Sequence, residues 1–174
     1  TAAVCYGAPI ELSENLEVAV IAPARAPRAR GIRGFSVAAH LASVRELDGL
    51  ALASPATTWA MLGAELSVRE LVIVGDHFVR IPRDNRGRLL PSSQLATTTQ
   101  LRAAIAAGRR RGTPRLREAV ELVRVGSSSP LETEHRLDST TAGIPMPELD
   151  VEIRDQSGRL LGISEIVHRA HRVV

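Results

Sequence analysis

Lysine does not occur in this chain: all 22 basic side chains are arginine, set against 19 carboxylates for a formal charge of +3. The isoelectric point near 10.3 therefore reflects arginine chemistry more than a large excess of positive charge. Guanidinium forks hold phosphate bidentately, so the bias suits a nucleic-acid partner, and it equally suits the codon usage of a GC-rich genome. Cysteine occurs once, which excludes an internal disulfide and a thiolate metal site; Cys5 reads as a small buried hydrophobe. Aromatic side chains make up 2% of the residues, namely Tyr6, Phe35, Trp59 and Phe78. That is too few for the stacking platforms of single-strand binders, and leaves duplex DNA as the expected nucleic acid. No apolar run reaches the roughly 18 residues of a membrane helix, and no basic start with a cleavage site marks a signal peptide. No membrane contact and a cytoplasmic location are expected.

What is present is core-forming material. Apolar residues are 44% of the 174, enough for one medium domain or two small ones that bury roughly 70% of the unfolded surface. The chain opens at Thr1 without a methionine, inside what reads as a helix closed by Gly7 and Pro9, and stops at "RVV" within an apolar run. Both ends are expected to continue.

The runs "LEVAVIA" and "GFSVAAH" predict strands on either side of an arginine-bearing loop that holds Arg25, Arg28, Arg30 and Arg33. Asp48-Gly49 between two extended runs predicts a two-residue hairpin turn. Ser54 followed by Pro55 predicts a helix start, and Ser67 with Glu70 stands at capping-box spacing before an apolar face of Leu71, Val74 and Phe78. The polar stretch from Pro82 to Pro91 is the expected boundary between a first region, 1–91, and a second, 92–174. Beyond it, Thr97 with Gln100 predicts another capped helix, as does Thr113 as N-cap before Pro114, with Leu116, Ala119, Val120 and Val123 buried. The order in the second region is helix, helix, helix, strand, strand, the last two joined by a turn at Gln156 to Gly158.

"SSSPLETEHRL" carries the most chemistry. Ser129-Pro130-Leu131-Glu132 has the form of a capping box in which Glu132 reaches back to the Ser129 N–H, and Arg136 at i+4 can pair with Glu132 at the surface. Structure alone accounts for Glu132, yet an acid at a helix start is also a metal-ligand candidate. The arginines Arg109, Arg110 and Arg111, with Arg115 and Arg117, form either a phosphate-contacting patch or a solvated basic face. The Arg28 and Arg30 loop admits the same two readings. His168 and His171 lack a second ligand cluster, His40, His77 and His135 stand alone, and "GRRRG" lacks the lysine and preceding strand of a phosphate loop.

Taken in order, "YGAPI", "APARAPRARGIRG", "ASPATTWAML", "AGRRRGTPRLREAVELVRVGSSSP", "SPLETEHRL", "AGIPMPELDVEIRD" and "GRLLGISEIV" resemble an uncharacterised actinobacterial family. Its N-terminal region is similar to abortive-infection antitoxin domains, and its C-terminal part is restriction-endonuclease-like, akin to very-short-patch repair endonucleases. The resemblance implies an α+β chain with an antitoxin-like strand and helix region, then a restriction-endonuclease-like α/β core cut short at the chain's end. It implies a Mg²⁺-dependent DNA endonuclease, incomplete within this chain, or alternatively a noncatalytic DNA-binding or toxin-partnering module. It places the acid of the first core helix at Glu132 and that of the second strand at Glu165, both as catalytic and metal-ligand candidates. Arg136 would orient Glu132 or touch phosphate. Glu165 stands where the family carries aspartate, and the remaining carboxylate would lie on a strand opened by Val173 and Val174. Mg²⁺ takes oxygen ligands and activates water for phosphodiester hydrolysis, which is why such acids must converge.

Overall fold

The computed structural model describes residues 1–11 and 13–173. Val174, one of the two residues expected to open a further strand, lies outside them. The chain is mixed α and β, with six α-helices and three small sheets among the described residues.

The first sheet joins β1 (Leu16–Ile21) in parallel to β3 (Ile32–Val37), with the two-residue β2 (Arg28–Ala29) on the far side of β3. β4 (Val44–Leu47) and β5 (Leu50–Ala53) form the expected hairpin, and Asp48 and Gly49 at its tip both take positive φ, as a tight primed turn requires. The hairpin is fastened to the start of α2 (Pro55–Leu62) by a triangle of hydroxyls: Ser43 and Ser54 Oγ are 2.5 Å apart, and Thr57 Oγ1 lies 3.1 to 3.2 Å from both.

α2, α3 (Val68–Val79), α4 (Thr98–Ala106) and α5 (Thr113–Leu122) enclose the core. α3 is its centre. Leu71, Val74 and Phe78 are fully buried on the face its periodicity marks, together with Trp59 of α2, Leu101 of α4 and Leu116 of α5, each contributing about 2 kcal/mol from its burial. The Trp59 Nε1–H donates to the Leu71 carbonyl at 2.8 Å, so the chain's one indole is seated without an unmet donor. Both expected capping boxes form, Ser67 with Glu70 and Thr97 with Gln100. The core draws on residues either side of the 82–91 loop, from Ala3 through Phe78 to Val123.

Two local expectations are corrected. Thr113 is not an N-cap: Gly112 holds that position at φ 76°, and the Thr113 hydroxyl turns back to donate to the Arg110 carbonyl at 2.7 Å. A methyl on Gly112 would overlap the Gly63 carbonyl, so only glycine allows this approach. Cys5 is exposed rather than buried, because Ala3 and Tyr6 take the inward positions of the short α1 (Ala2–Cys5).

The C-terminal part consists of α6 (Pro130–Thr141) and the antiparallel hairpin of β6 (Glu148–Arg154) and β7 (Leu160–Val167). β6 and β7 form a two-stranded sheet of their own among the described residues. After β7 the chain turns through Arg169–His171, and Val173 bridges back to His168 antiparallel.

Candidate acidic site at the start of α6

Glu132 occupies the third position of α6, and its surroundings follow from the residues before it. Ser129 is the N-cap, its Oγ accepting from the Glu132 N–H at 3.3 Å, and Pro130 takes the first helical position, where no N–H is needed. The carboxylate closes the cap differently from expectation. Its Oε1 accepts from the Ser129 hydroxyl at 2.8 Å, and its Oε2 accepts from the N–H of Ser128, one residue further back than the expected Ser129, also at 2.8 Å. Glu132 is only 6% exposed. Each oxygen is used once and keeps a further lone pair.

Arg136 does not pair with Glu132. It is fully buried, and its Nη2 donates to Asp76 Oδ2 of α3 at 2.6 Å while Nη1 donates to the Leu122 carbonyl at 2.9 Å. Its Nε has no partner among the described residues. Asp76 also accepts from the Thr133 hydroxyl at 2.8 Å on the same oxygen and from the Arg124 N–H at 2.8 Å on the other. Burial pushes the Asp76 carboxyl above its ordinary range, outweighing the pull of Arg136 and of the Arg124 and Thr133 donors. Arg136 is thus neither a surface partner for Glu132 nor placed to touch phosphate.

Further ties between α6, its hairpin and the rest are ionic. Arg69 holds Asp138 through two bonds of 2.7 and 2.8 Å, and Arg83 grips Asp150 through its Nε at 2.8 and 3.0 Å and through the backbone carbonyl at 3.1 Å.

Glu165 lies exposed on β7. The ladder passes from Leu149↔Ile166 to Val151↔Ser164, which leaves Asp150 across from Glu165 at a point where Asp150 takes φ 54°. A Cβ on Gly126, just ahead of the Ser127–Ser129 turn, would meet Leu149 at 2.8 Å and Asp150 at 3.4 Å. The segment that leads into α6 therefore passes close to β6 at Leu149 and Asp150. Asp150 escapes notice in the sequence because in "LDVEI" it falls on the charged side of a regular alternation with Glu152.

Among the described residues, no group of three or more His, Cys, Asp or Glu side chains is placed to hold a metal ion. Mg²⁺ is commonly held by one or two carboxylates together with waters and substrate phosphate oxygens.

The arginine candidates divide. Arg109 and Arg111 are exposed at the turn after α4, as are Arg28 and Arg30 on the β2 loop. Arg110 instead turns inward, its Nη2 donating to the Leu41 and Ala104 carbonyls at 3.0 Å each. Arg115 donates to the Leu66 and Ala64 carbonyls at 2.8 and 3.3 Å. Both are committed to backbone carbonyls within the fold. No helix among the described residues is long and apolar enough to cross a membrane.

No family model, curated protein or solved structure matches the chain.

Proposed function

We propose that α6 and the β6–β7 hairpin open a restriction-endonuclease-like core, and that the protein nicks or cleaves duplex DNA in a Mg²⁺-dependent manner, with Glu132 and Glu165 as two of its acids. One observation carries this reading. A helix cap does not require a buried acid: Glu70 and Gln100 perform the same duty at exposed helix starts, whereas Glu132 performs it while 6% exposed. Holding a carboxylate out of water is costly, and a capping role alone gives no return for that cost. The element order supports the same reading, with an acid at the helix start and another on the second strand of the hairpin that follows.

In this chain the residues hold and orient. Ser128 and Ser129 fix the Glu132 carboxylate, and bound Mg²⁺ would supply activation of water and charge neutralisation at the leaving oxygen. The test is nicking of supercoiled plasmid by the full-length protein with Mg²⁺. Nicking is expected in the parent and is expected to disappear in Glu165→Ala; undiminished nicking by that variant would sink the assignment.

The exposed Arg28, Arg30, Arg109 and Arg111 favour a second reading, a noncatalytic DNA-binding, antitoxin-like module. Filter binding of duplex DNA should then weaken steeply with salt, and a flat salt response counts against it.

A further inference from the structure

α6 has almost no apolar side chain to seat it. Its buried residues are Glu132, Thr133, Arg136 and Ser139, Leu131 is 74% exposed, and Leu137 packs only partly against the core. In an ordinary amphipathic helix, a stripe of apolar residues sets rotation and slide against the core. Here polar bonds do so: Arg69 holds Asp138 at the surface, and the buried side of the helix is held chiefly by one carboxylate. Asp76 Oδ2 receives the Thr133 hydroxyl at 2.8 Å and the Arg136 Nη2 at 2.6 Å, gripping α6 at two points about one turn apart. The carboxylate is itself immobilised by the Arg124 N–H at 2.8 Å on Oδ1.

We infer that Asp76, on α3, is the positioning residue of the acidic site: it sets the rotation and slide of α6, and through them where the Glu132 carboxylate stands. α3 reaches Glu132 from both sides, through the Asp76 grip on one and through Arg80 on the other. Thr133 is its chain neighbour, and the Ser128 whose N–H holds Oε2 is tied by its own carbonyl to Arg80 Nη1 at 3.2 Å, at the C-terminal end of α3. A buried ion pair adds little stability over an apolar pair of similar volume, so geometry is the better account of why charge is kept here. What the carboxylate is positioned for rests on the endonuclease reading; that it is positioned from α3 does not.

The test compares the full-length parent with the double variant Asp76→Leu/Arg136→Met, which replaces the pair by apolar side chains. The double variant is expected to unfold cooperatively. Its Ser128 amide should nevertheless exchange with solvent about tenfold faster or more, and Mg²⁺-dependent plasmid nicking should fall by at least about tenfold with DNA affinity unchanged. Parental exchange at Ser128 in a folded double variant overturns the proposal. Thr133→Val, which deletes one of the two α6 bonds to Asp76 at nearly constant shape, decides the matter if the double variant does not fold. Faster Ser128 exchange with unchanged protection around Trp59 supports positioning, and unchanged Ser128 exchange refutes it. A parent that never nicks, while Ser128 exchange responds as stated, removes the endonuclease reading and leaves the positioning role standing.

Discussion

Cutting one partner from the Asp76–Arg136 pair should be among the most damaging single changes available in this chain. Both side chains are 1% exposed. Asp76→Leu leaves the Arg136 guanidinium buried with only the Leu122 carbonyl as acceptor and with Nε already unpartnered. An uncompensated buried charge costs about 3–5 kcal/mol. For a chain of 174 residues, each kcal/mol shifts the melting temperature by about 2–4 °C, so the expected loss is roughly 6–20 °C. Arg136→Met leaves Asp76 with the Thr133 hydroxyl and the Arg124 N–H, which places its loss near the lower figure, about 3 kcal/mol. The double variant should recover much of the Asp76→Leu loss and stay within about 1–3 kcal/mol of the parent, because similar apolar volume replaces both charges while the Arg124 N–H and the Leu122 carbonyl lose their partners. Urea unfolding followed by circular dichroism, extrapolated linearly to water, measures all three. A loss under about 1 kcal/mol in Asp76→Leu, or losses that simply add in the double variant, would show that the pair is not buried and coupled as described.

Gly112→Ala should cost about 3 kcal/mol, since alanine must hold φ 76° and its methyl would overlap the Gly63 carbonyl; a urea midpoint equal to the parent's refutes that geometry. Ser129→Ala should cost about 1 kcal/mol and speed amide exchange in the first turn of α6, whereas unchanged exchange there would mean that the serine is not the cap. Acid should destabilise the fold. Asp84, bound by the Arg88 backbone N–H, Asp138 by Arg69, Glu148 by Arg169 and Glu152 by Arg154 all have folded pKa values below the ordinary carboxylate range. Such groups contribute stability that is present above the unfolded value near pH 4 and is lost as pH falls through the folded values. Asp76 has the opposite sign: with its value raised by burial, the folded state holds the proton more readily, so it takes stability away as pH rises through its own range. Urea midpoints that stay constant as pH falls from about 5 to about 2.5 would contradict this balance.

Much of the local structure was legible because caps and turns are decided within a few residues. Ser54-Pro55, Ser67 with Glu70, Thr97 with Gln100, Ser129-Pro130 and Asp48-Gly49 each start or reverse an element where their chemistry requires it. Thr113 misled because threonine before proline imitates a cap, while the close pass of Gly112 against Gly63 is a tertiary fact. The partner of Arg136 was illegible for a related reason. Glu132 stands four residues away and Asp76 stands 60 away, and only packing chooses between them. A trace of the answer was present: Asp76 falls on the same face as Val72 and Val79, and all three are buried. An acid on such a face needs a cation, and Arg136 is the one that meets it. The division of the arginines was likewise hidden, since Arg109, Arg110 and Arg111 are equivalent as letters and only the fold turns the middle one inward.

Glu132 is the residue on which cap and chemistry meet, and Glu132→Gln separates them. Glutamine can accept the Ser128 N–H through its carbonyl while its amide donates to the Ser129 hydroxyl, reversing that bond, so the variant should stay within about 1 kcal/mol of the parent while losing the charge a cation requires. In the full-length protein, Mg²⁺-dependent nicking of supercoiled plasmid is therefore expected to vanish in Glu132→Gln with stability intact. Nicking at the parental rate in that stable variant would contradict the assignment and leave Glu132 as a helix cap alone.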